Sequence, residues 1–351
     1  MNNLLVTLLL GSGSAALLLW GVLILPRERW QMIAAIPLER EVGGSWSGLN
    51  LTWYGALSAT AYLIAATVFL LLMAGVGVPL FLAAALTVGI LAVCVPASRL
   101  IALVVEKKAH TFTVGGASFA GLLLIYPLIL LINGMIGGFS SAQLPYVPSL
   151  AALAISHAFG EGLGRVACIS FGCCYGAPLG RCSPVIQRLF RGRAFTFYGA
   201  TRKAVYAGNL EGVPLLPIQA VTAVIYVITG LAGFYLFLSL HVTAAALITL
   251  IITQGWRVIS EQFRADYRGE GRFSAYQVMG LLGIIGAVLM GTLAPADNGL
   301  SVDISAAFRA LWRPGPLLAL QGLWLVIFLY TGRSSVTGSR LTFHVHPDRV
   351  G

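Results

Sequence analysis

Charge is the scarcest commodity in this sequence. Asp, Glu, Lys and Arg make up 10% of its 351 residues, against roughly 25% in an average soluble domain. The mean hydropathy is +0.87. Twelve acidic and twenty-two basic side chains cannot cover a water-soluble fold of this length, so a soluble globular protein is excluded and the bilayer is the solvent that fits. Cysteine is sparse as well. Five residues, Cys94, Cys168, Cys173, Cys174 and Cys182, make no disulfide framework. The adjacent Cys173 and Cys174 are badly placed to bridge each other, although Cys182 could meet either in an oxidising compartment. The second cysteine pair that zinc sites normally show is missing, so no metal site is expected. Also absent are a Walker-type phosphate loop, an HExxH helix and paired carboxylates at glycosidase-like positions. No cofactor is expected.

The few charges present are mostly positive, with a formal net charge of +10 and an isoelectric point near 9.7. The basic residues lie beside apolar stretches and form no interleaved basic–aromatic patch. That pattern argues against nucleic acid and for anionic phospholipid as the partner.

Apolar runs recur from end to end, at about 3–25, 52–75, 78–98, 116–137, 148–171, 215–240, 243–263, 274–294 and 315–332. Each approaches the ~20 residues that cross ~30 Å of hydrocarbon. Such spans must be helical, because an open structure of any other kind leaves backbone groups unsatisfied in lipid. The expectation is an all-α polytopic membrane bundle of about nine transmembrane helices. The first run lacks a basic leader and is too long for a signal peptide, so it reads as a retained helix. Two segments stay outside lipid. Residues 27–50 mix Trp30 and Trp46 with charge and suit an interfacial amphipathic piece. Residues 177–214 carry Arg181, Arg188, Arg191, Arg193, Arg202 and Lys203 and form a basic arm on one membrane face. A plain positive-inside count puts this arm and the 264–272 loop in the cytoplasm. The terminal "RLTFHVHPDRV" reads as a loose basic end.

One stretch departs from this apolar background: "GEGLGRVACISFGCCYG", residues 160–176. On a helix beginning near Leu150, His157, Glu161 and Arg165 fall at i, i+4 and i+8 on one face, with Cys168 following. Ionisable groups inside a membrane cost ~2.5–3.5 kcal/mol each on insertion scales, so three in register require a bundle interior or a wet cavity. The plain alternative is an ion pair locking two helices. A second stripe sets Arg257, Glu261 and Arg264 at i, i+4 and i+7, with Gln254 one turn before. Its plain alternative is the wet end of a helix with positive anchors, but more than a dozen mostly apolar residues precede Arg257. Two arginine stripes on separate helices suggest an anion cradle, since guanidinium grips phosphate through a planar fork of donors.

Several segments, in order, resemble the bacterial prolipoprotein diacylglyceryl transferase family. "LGRVACISFGCCYG" is similar to a Cys-rich variant of its glycine–arginine signature. "NLTWYGALSATAYLI" resembles the opening of its first core helix (Trp53, Tyr54, Gly55). "ASRLIALVVE" places Arg99, and "VGGASFAGLLL" looks like a glycine-pair region. "PIQAVTAVIY" keeps Pro217 and Gln219, while "GWRVISEQFR" and "FSAYQVMGLLGIIGAVLM" match at Arg257, Glu261, Arg264 and Gln277. The resemblance covers roughly 50–294. It implies a seven-helix core there bearing the arm 177–214, with an extra helix and interfacial segment at 1–49. At the other end, 295–351 would hold a loop, a second extra helix and the tail.

Members of that family move the diacylglyceryl group of phosphatidylglycerol onto the lipobox cysteine of a secreted precursor, and glycerol phosphate leaves. By resemblance, Arg165 and Arg257 grip the phosphate. Tyr54, Arg99, Gln219, Glu261, Arg264 and Gln277 contact substrate. The protein sits in the bacterial cytoplasmic (inner) membrane with its active site and arm towards the outer face, against the charge count. The chain departs from the family where His-Gly-Gly becomes Ala120, Gly121 and Leu122. The asparagine after Gly-Arg becomes Cys168, and two polar residues become Val221 and Thr222. With the family histidine replaced by Ala120, His157 is the nearest substitute as general base, held by Glu161. Cys168, Cys173 and Cys174 read as packing for the helix end rather than as nucleophiles. The competing expectation is a phospholipid-binding or lipid-transport protein of the same fold without chemistry.

Overall fold

The apolar runs become helices that satisfy their own backbone. A computed structural model describes residues 2–28, 31–107, 113–138, 141–267, 273–293 and 299–350. The helices are α1 (Asn3–Ile24), α2 (Trp53–Gly75), α3 (Leu80–Glu106), α4 (Val114–Ile136), α5 (Tyr146–Phe171), α6 (Pro184–Phe190), α7 (Lys203–Tyr206), α8 (Ile218–Leu238), α9 (Val242–Ser260), α10 (Ala275–Leu293), α11 (Ile304–Leu311) and α12 (Pro314–Gly332). Among the described residues, eight are long and apolar enough to cross a membrane: α1 to α4, α8, α9 (continued by a 3-10 turn to Phe263), α10 and α12. The molecule is thus a helical, multi-pass membrane protein.

The expected count of about nine and the observed eight differ at α5. This helix has 26 residues, enough to span, but it carries His157, Glu161 and Arg165 and is the least apolar of the long helices. Its polarity follows from its position. Eighteen of its residues are buried, and α2, α8, α9, α1 and α4 surround it. α12, by contrast, buries only Leu320 and Gly332 and presents Leu318, Leu325 and Val326 outward. Apolarity is needed where a helix faces lipid; α5 faces protein.

The expected helical membrane class is observed, with a small sheet added that was not expected. β1 (Met32–Arg40), β2 (Trp46–Thr52) and β3 (Arg333–Leu341) form a three-stranded antiparallel sheet with β2 in the centre. Arg40 pairs with Trp46, and Trp46 in turn with Leu341. The segment read as an amphipathic interfacial piece is a hairpin. Its turn is made by Gly43 and Gly44 at φ +106° and +88°, a conformation that favours glycine. Trp46 lies in β2, while Trp30 is outside the described residues. The tail read as loose begins in β3, where Arg340 Nε lies 3.2 Å from a Glu41 carboxylate oxygen. The sheet therefore ties the two chain ends together.

The 177–214 arm contains only the short helices α6 and α7, a 3-10 turn at Leu179–Arg181 and isolated bridges. It folds back on the bundle: Ala177 N–H donates to Phe263 O at 2.9 Å and Leu215 N–H to Phe195 O at 2.8 Å. One of the arm's cations is enclosed by the fold. Arg202 is 1% exposed, and donates to the carbonyls of Ile169 (3.1 Å), Ser170 and Leu25 (3.1 Å). It caps the carbonyl ends of α5 and α1, whose last carbonyls have no partner within their helices.

Candidate functional site

Glu161 is the centre of the buried charge. One of its oxygens accepts from Arg165 one turn on, and the other from Arg257 of α9. His157 Nε2 lies 3.1 Å from the oxygen that Arg257 holds. The side-chain exposures are 3% for Glu161, 6% for Arg257, 12% for Arg165 and 25% for His157. The helix register stacks His157, Glu161 and Arg165, and the packing of α5 against α9 brings in Arg257 from 96 residues away. One carboxylate between two guanidiniums leaves a unit of positive charge before the imidazole is counted. In a low-dielectric interior that excess attracts an anion.

The backbone around the cluster makes room for it. A Cβ added at Gly115 in α4 would lie 2.8 Å from Arg257 Nη1 and from the Tyr276 ring. Only a glycine lets α4 approach the guanidinium this closely. Tyr226 O–H donates to Thr253 O at 2.8 Å and Trp256 Nε1 to the Thr222 hydroxyl at 3.0 Å, joining α8 to α9 beside the charges. Four polar atoms here are buried without a hydrogen-bond partner: Arg165 Nε, Arg257 Nε, Gln219 Oε1 and His157 Nε2, whose approach to Glu161 is close but lacks hydrogen-bond alignment. The two arginine Nε–H groups are buried donors without an acceptor, which is costly, and an anionic ligand would satisfy them; Gln219 Oε1 needs a donor instead.

A small polar cleft opens next to Arg165. Cys174, Gln219, Thr222, Ser260 and Arg264 share its lining. Its walls come from the ends of α5, α8 and α9, joined by the loop after α5. Gln219 Nε2 donates to Cys173 O at 2.9 Å, and Ala265 N–H to Tyr175 O at 3.1 Å. Arg264 makes a two-point pair with Asp266, at 2.8 and 2.6 Å, and lies 3.7 Å from Glu261. Burial alone would lower the Arg264 pKa, but Asp266 outweighs it and holds the value well above that of a free guanidinium. Cys174 is shifted the other way. Hydrogen bonds from the Cys168 and Cys173 thiols, helped by Arg264 and Arg165, hold its pKa well below the usual thiol range despite burial.

The sequence candidates divide between this cleft and its surroundings. Glu161, Arg165, Arg257 and His157 meet; Gln219 and Arg264 line the adjoining cleft, with Glu261 beside Arg264. Gln277 does not line it: its Nε2 donates to Val258 O at 3.1 Å and its Oε1 accepts from Ser274 N–H at 3.0 Å, stapling α10 to α9. The Tyr54 ring packs on Phe171, with centroids 5.6 Å apart. The Arg99 guanidinium lies over the Tyr330 ring of α12 at 4.9 Å. Sequence reasoning missed Gly115, Ser260 and the position of Cys174 in the cleft wall. The glycine pair and the doubled cysteine were the visible signals, but what they touch is set by tertiary packing.

Comparison of the sequence with models of known protein families and with curated proteins finds no match.

Proposed function

We propose that the protein is a phospholipid-dependent membrane transferase. It moves a diacylglyceryl or related lipid group from phosphatidylglycerol to an acceptor and releases glycerol phosphate. The observation that carries this reading is the pair of buried guanidiniums sharing one carboxylate, each with an Nε lacking a partner, beside a polar cleft at the end of lipid-facing helices. A phosphodiester with two acyl chains matches both halves: its phosphate oxygens meet the arginines, and its chains lie along the apolar faces. The resemblance to the diacylglyceryl transferases in the arginine stripes points to the same substrate.

In the reaction the acceptor nucleophile attacks the glycerol carbon of the diacylglyceryl group, the carbon–oxygen bond to phosphate breaks, and glycerol phosphate takes the bonding electrons. Arg165 and Arg257 stabilise the charge that develops on the leaving phosphate, the role in which fixed donors contribute most. His157 takes the nucleophile's proton, and Glu161 orients the imidazole. The acceptor in this proposal is a prolipoprotein cysteine thiol. We read α5 as a ninth span enclosed by the others, and the chain as a protein of the bacterial cytoplasmic membrane whose cleft and arm face outward.

One observation favours a second reading. Glu161 already engages both arginines, and Ala120 stands where the resembled family has histidine, as a phospholipid-binding or lipid-transport protein without chemistry would allow. Purified protein incubated with phosphatidylglycerol labelled in its head group separates the two. Release of labelled glycerol phosphate in the presence of an acceptor lipobox peptide supports the transferase; stable binding without release supports the rival.

A further inference from the structure

The three cysteines at the end of α5 do more than fill space there. After Phe171 the chain turns back through Gly172 and brings Cys173 and Cys174 onto the last turn of the helix, where Cys168 stands. Cys174 holds φ +53°, a left-handed conformation unfavourable for a residue with a Cβ. The turn is pinned by Gln219 on Cys173 O and by Ala204 N–H on Gly172 O at 3.0 Å. The result is three Sγ atoms within 4.8 Å of one another, with Cys168 and Cys174 sulfurs 4.0 Å apart.

That spacing has a geometric meaning. Two sulfurs bound to one ion at ~2.3 Å stand about 3.8 Å apart at a tetrahedral angle and about 4.0 Å apart at a trigonal one. The Cys168–Cys174 separation matches the larger of these values, and the Cys173 sulfur lies within 4.8 Å of both. Their surroundings also differ from those of ordinary core thiols. Arg165 and Arg264 line the cleft that Cys174 enters. Arginines beside the cleft offset the negative charge that thiolates carry, and a metal that binds there displaces the thiol protons.

We propose that Cys168, Cys173 and Cys174 form a three-thiolate site for a thiophilic closed-shell ion, zinc(II) first, with a fourth coordination position open to the arginine-lined cleft. Soft thiolate ligands select such ions, and three protein ligands with one open position is the arrangement of reactive rather than purely structural zinc. Binding releases the thiol protons to solvent. Three thiolates and one zinc(II) carry a net charge of −1, which the neighbouring cations offset. An exogenous thiol entering the open position would be deprotonated there, which is chemistry an S-alkylation needs. The site itself does not rest on the transferase reading, and metal content can be measured without activity.

The full-length protein, purified in detergent, is equilibrated with zinc, freed of excess by gel filtration and assayed for metal; a parallel sample takes cobalt(II). The expected result is one zinc per chain and an intense thiolate-to-cobalt charge-transfer absorption. Cys168→Ser, Cys173→Ser and Cys174→Ser each lose both, while Cys94→Ser and Cys182→Ser keep both. Zinc also protects Cys173 and Cys174 of the unaltered protein from alkylation, read by peptide mass spectrometry, which needs no variant to fold. Retention of zinc by Cys174→Ser places the metal elsewhere and overturns the proposal. So does unaltered protein that retains no zinc and alkylates at the same rate with and without it.

Discussion

Two regions against α5 bury arginine, and they do so on different terms. In the arm, Arg202 is met by the neutral carbonyls of Ile169, Ser170 and Leu25. Burial draws its pKa down to about 10, and Glu28 opposes this only in part. In the bundle, Arg165 and Arg257 are met by one carboxylate, which leaves surplus charge beside a cleft. Arg202 is bound by dipoles that belong to two helix ends, so its cation serves the fold. The pair on Glu161 has more positive charge than the fold requires, and that surplus is what a phosphate can use.

Removing Glu161 attacks the contrast most strongly. Glu161→Ala leaves two buried guanidiniums without a counter-charge and is expected to destabilise the protein by about 3–5 kcal/mol, seen as a large fall in thermal unfolding temperature in micelles. Unfolding unchanged from the parent would mean that the cluster is solvated and its charge is not confined.

Removing one arginine is expected to act on turnover and leave the fold intact. Arg165→Ala or Arg257→Ala leaves a neutral one-to-one pair with Glu161, so insertion and folding persist, while glycerol phosphate release falls about 10²–10³-fold. Lysine restores little at either position, because it supplies a point charge and no fork. Comparable turnover of the alanine variants and the parent would reduce the cluster to a structural lock.

Arg202→Ala should show the opposite profile. Loss of the donors that cap α5 and α1 is expected to cost about 1–3 kcal/mol of stability, with turnover per folded molecule unchanged. A variant that unfolds like the parent but loses turnover would move Arg202 into the machinery.

The smallest effect is read at two thiols. The neighbouring thiols, Arg264 and Arg165 lower the Cys174 pKa, whereas burial raises that of Cys182 out in the arm. Since the thiolate is the reactive form, alkylation of metal-free protein should show a pH midpoint below the ordinary thiol range at Cys174 and above it at Cys182. For stability the sign is fixed by the lowered value: the Cys174 thiolate contributes above its unfolded pKa, and that contribution is lost as pH falls through the folded one. Coincident alkylation midpoints would show that the arginine field does not reach the thiol.

The helices were legible because runs of apolar residues near the bilayer length have few other structures open to them. The run read at 148–171 is observed as Tyr146–Phe171. The polar stripe on α5 was legible for a similar reason, since helical spacing alone stacks His157, Glu161 and Arg165. The sheet was not legible, because β3 lies some 280 residues from its partner β2 and only the Gly43–Gly44 turn marked the hairpin locally. The burial of Arg202 was not legible, because a one-dimensional charge count shows which segment is polar and not which arginine the fold encloses. The meeting of Cys168 with Cys173 and Cys174 depends on a left-handed cysteine, which no periodicity reveals.

The central claim is that Arg165 and Arg257 hold a phospholipid phosphate in order to break its bond to the diacylglyceryl group. It is tested most directly by head-group-labelled phosphatidylglycerol given, with an acceptor lipobox peptide, to the parent protein and Arg257→Lys side by side, with binding and release measured on the same samples. Both proteins should bind lipid, the parent should release labelled glycerol phosphate, and the lysine variant should stay near background. Equal release from the two proteins, or tight binding by the parent with no release, would contradict it.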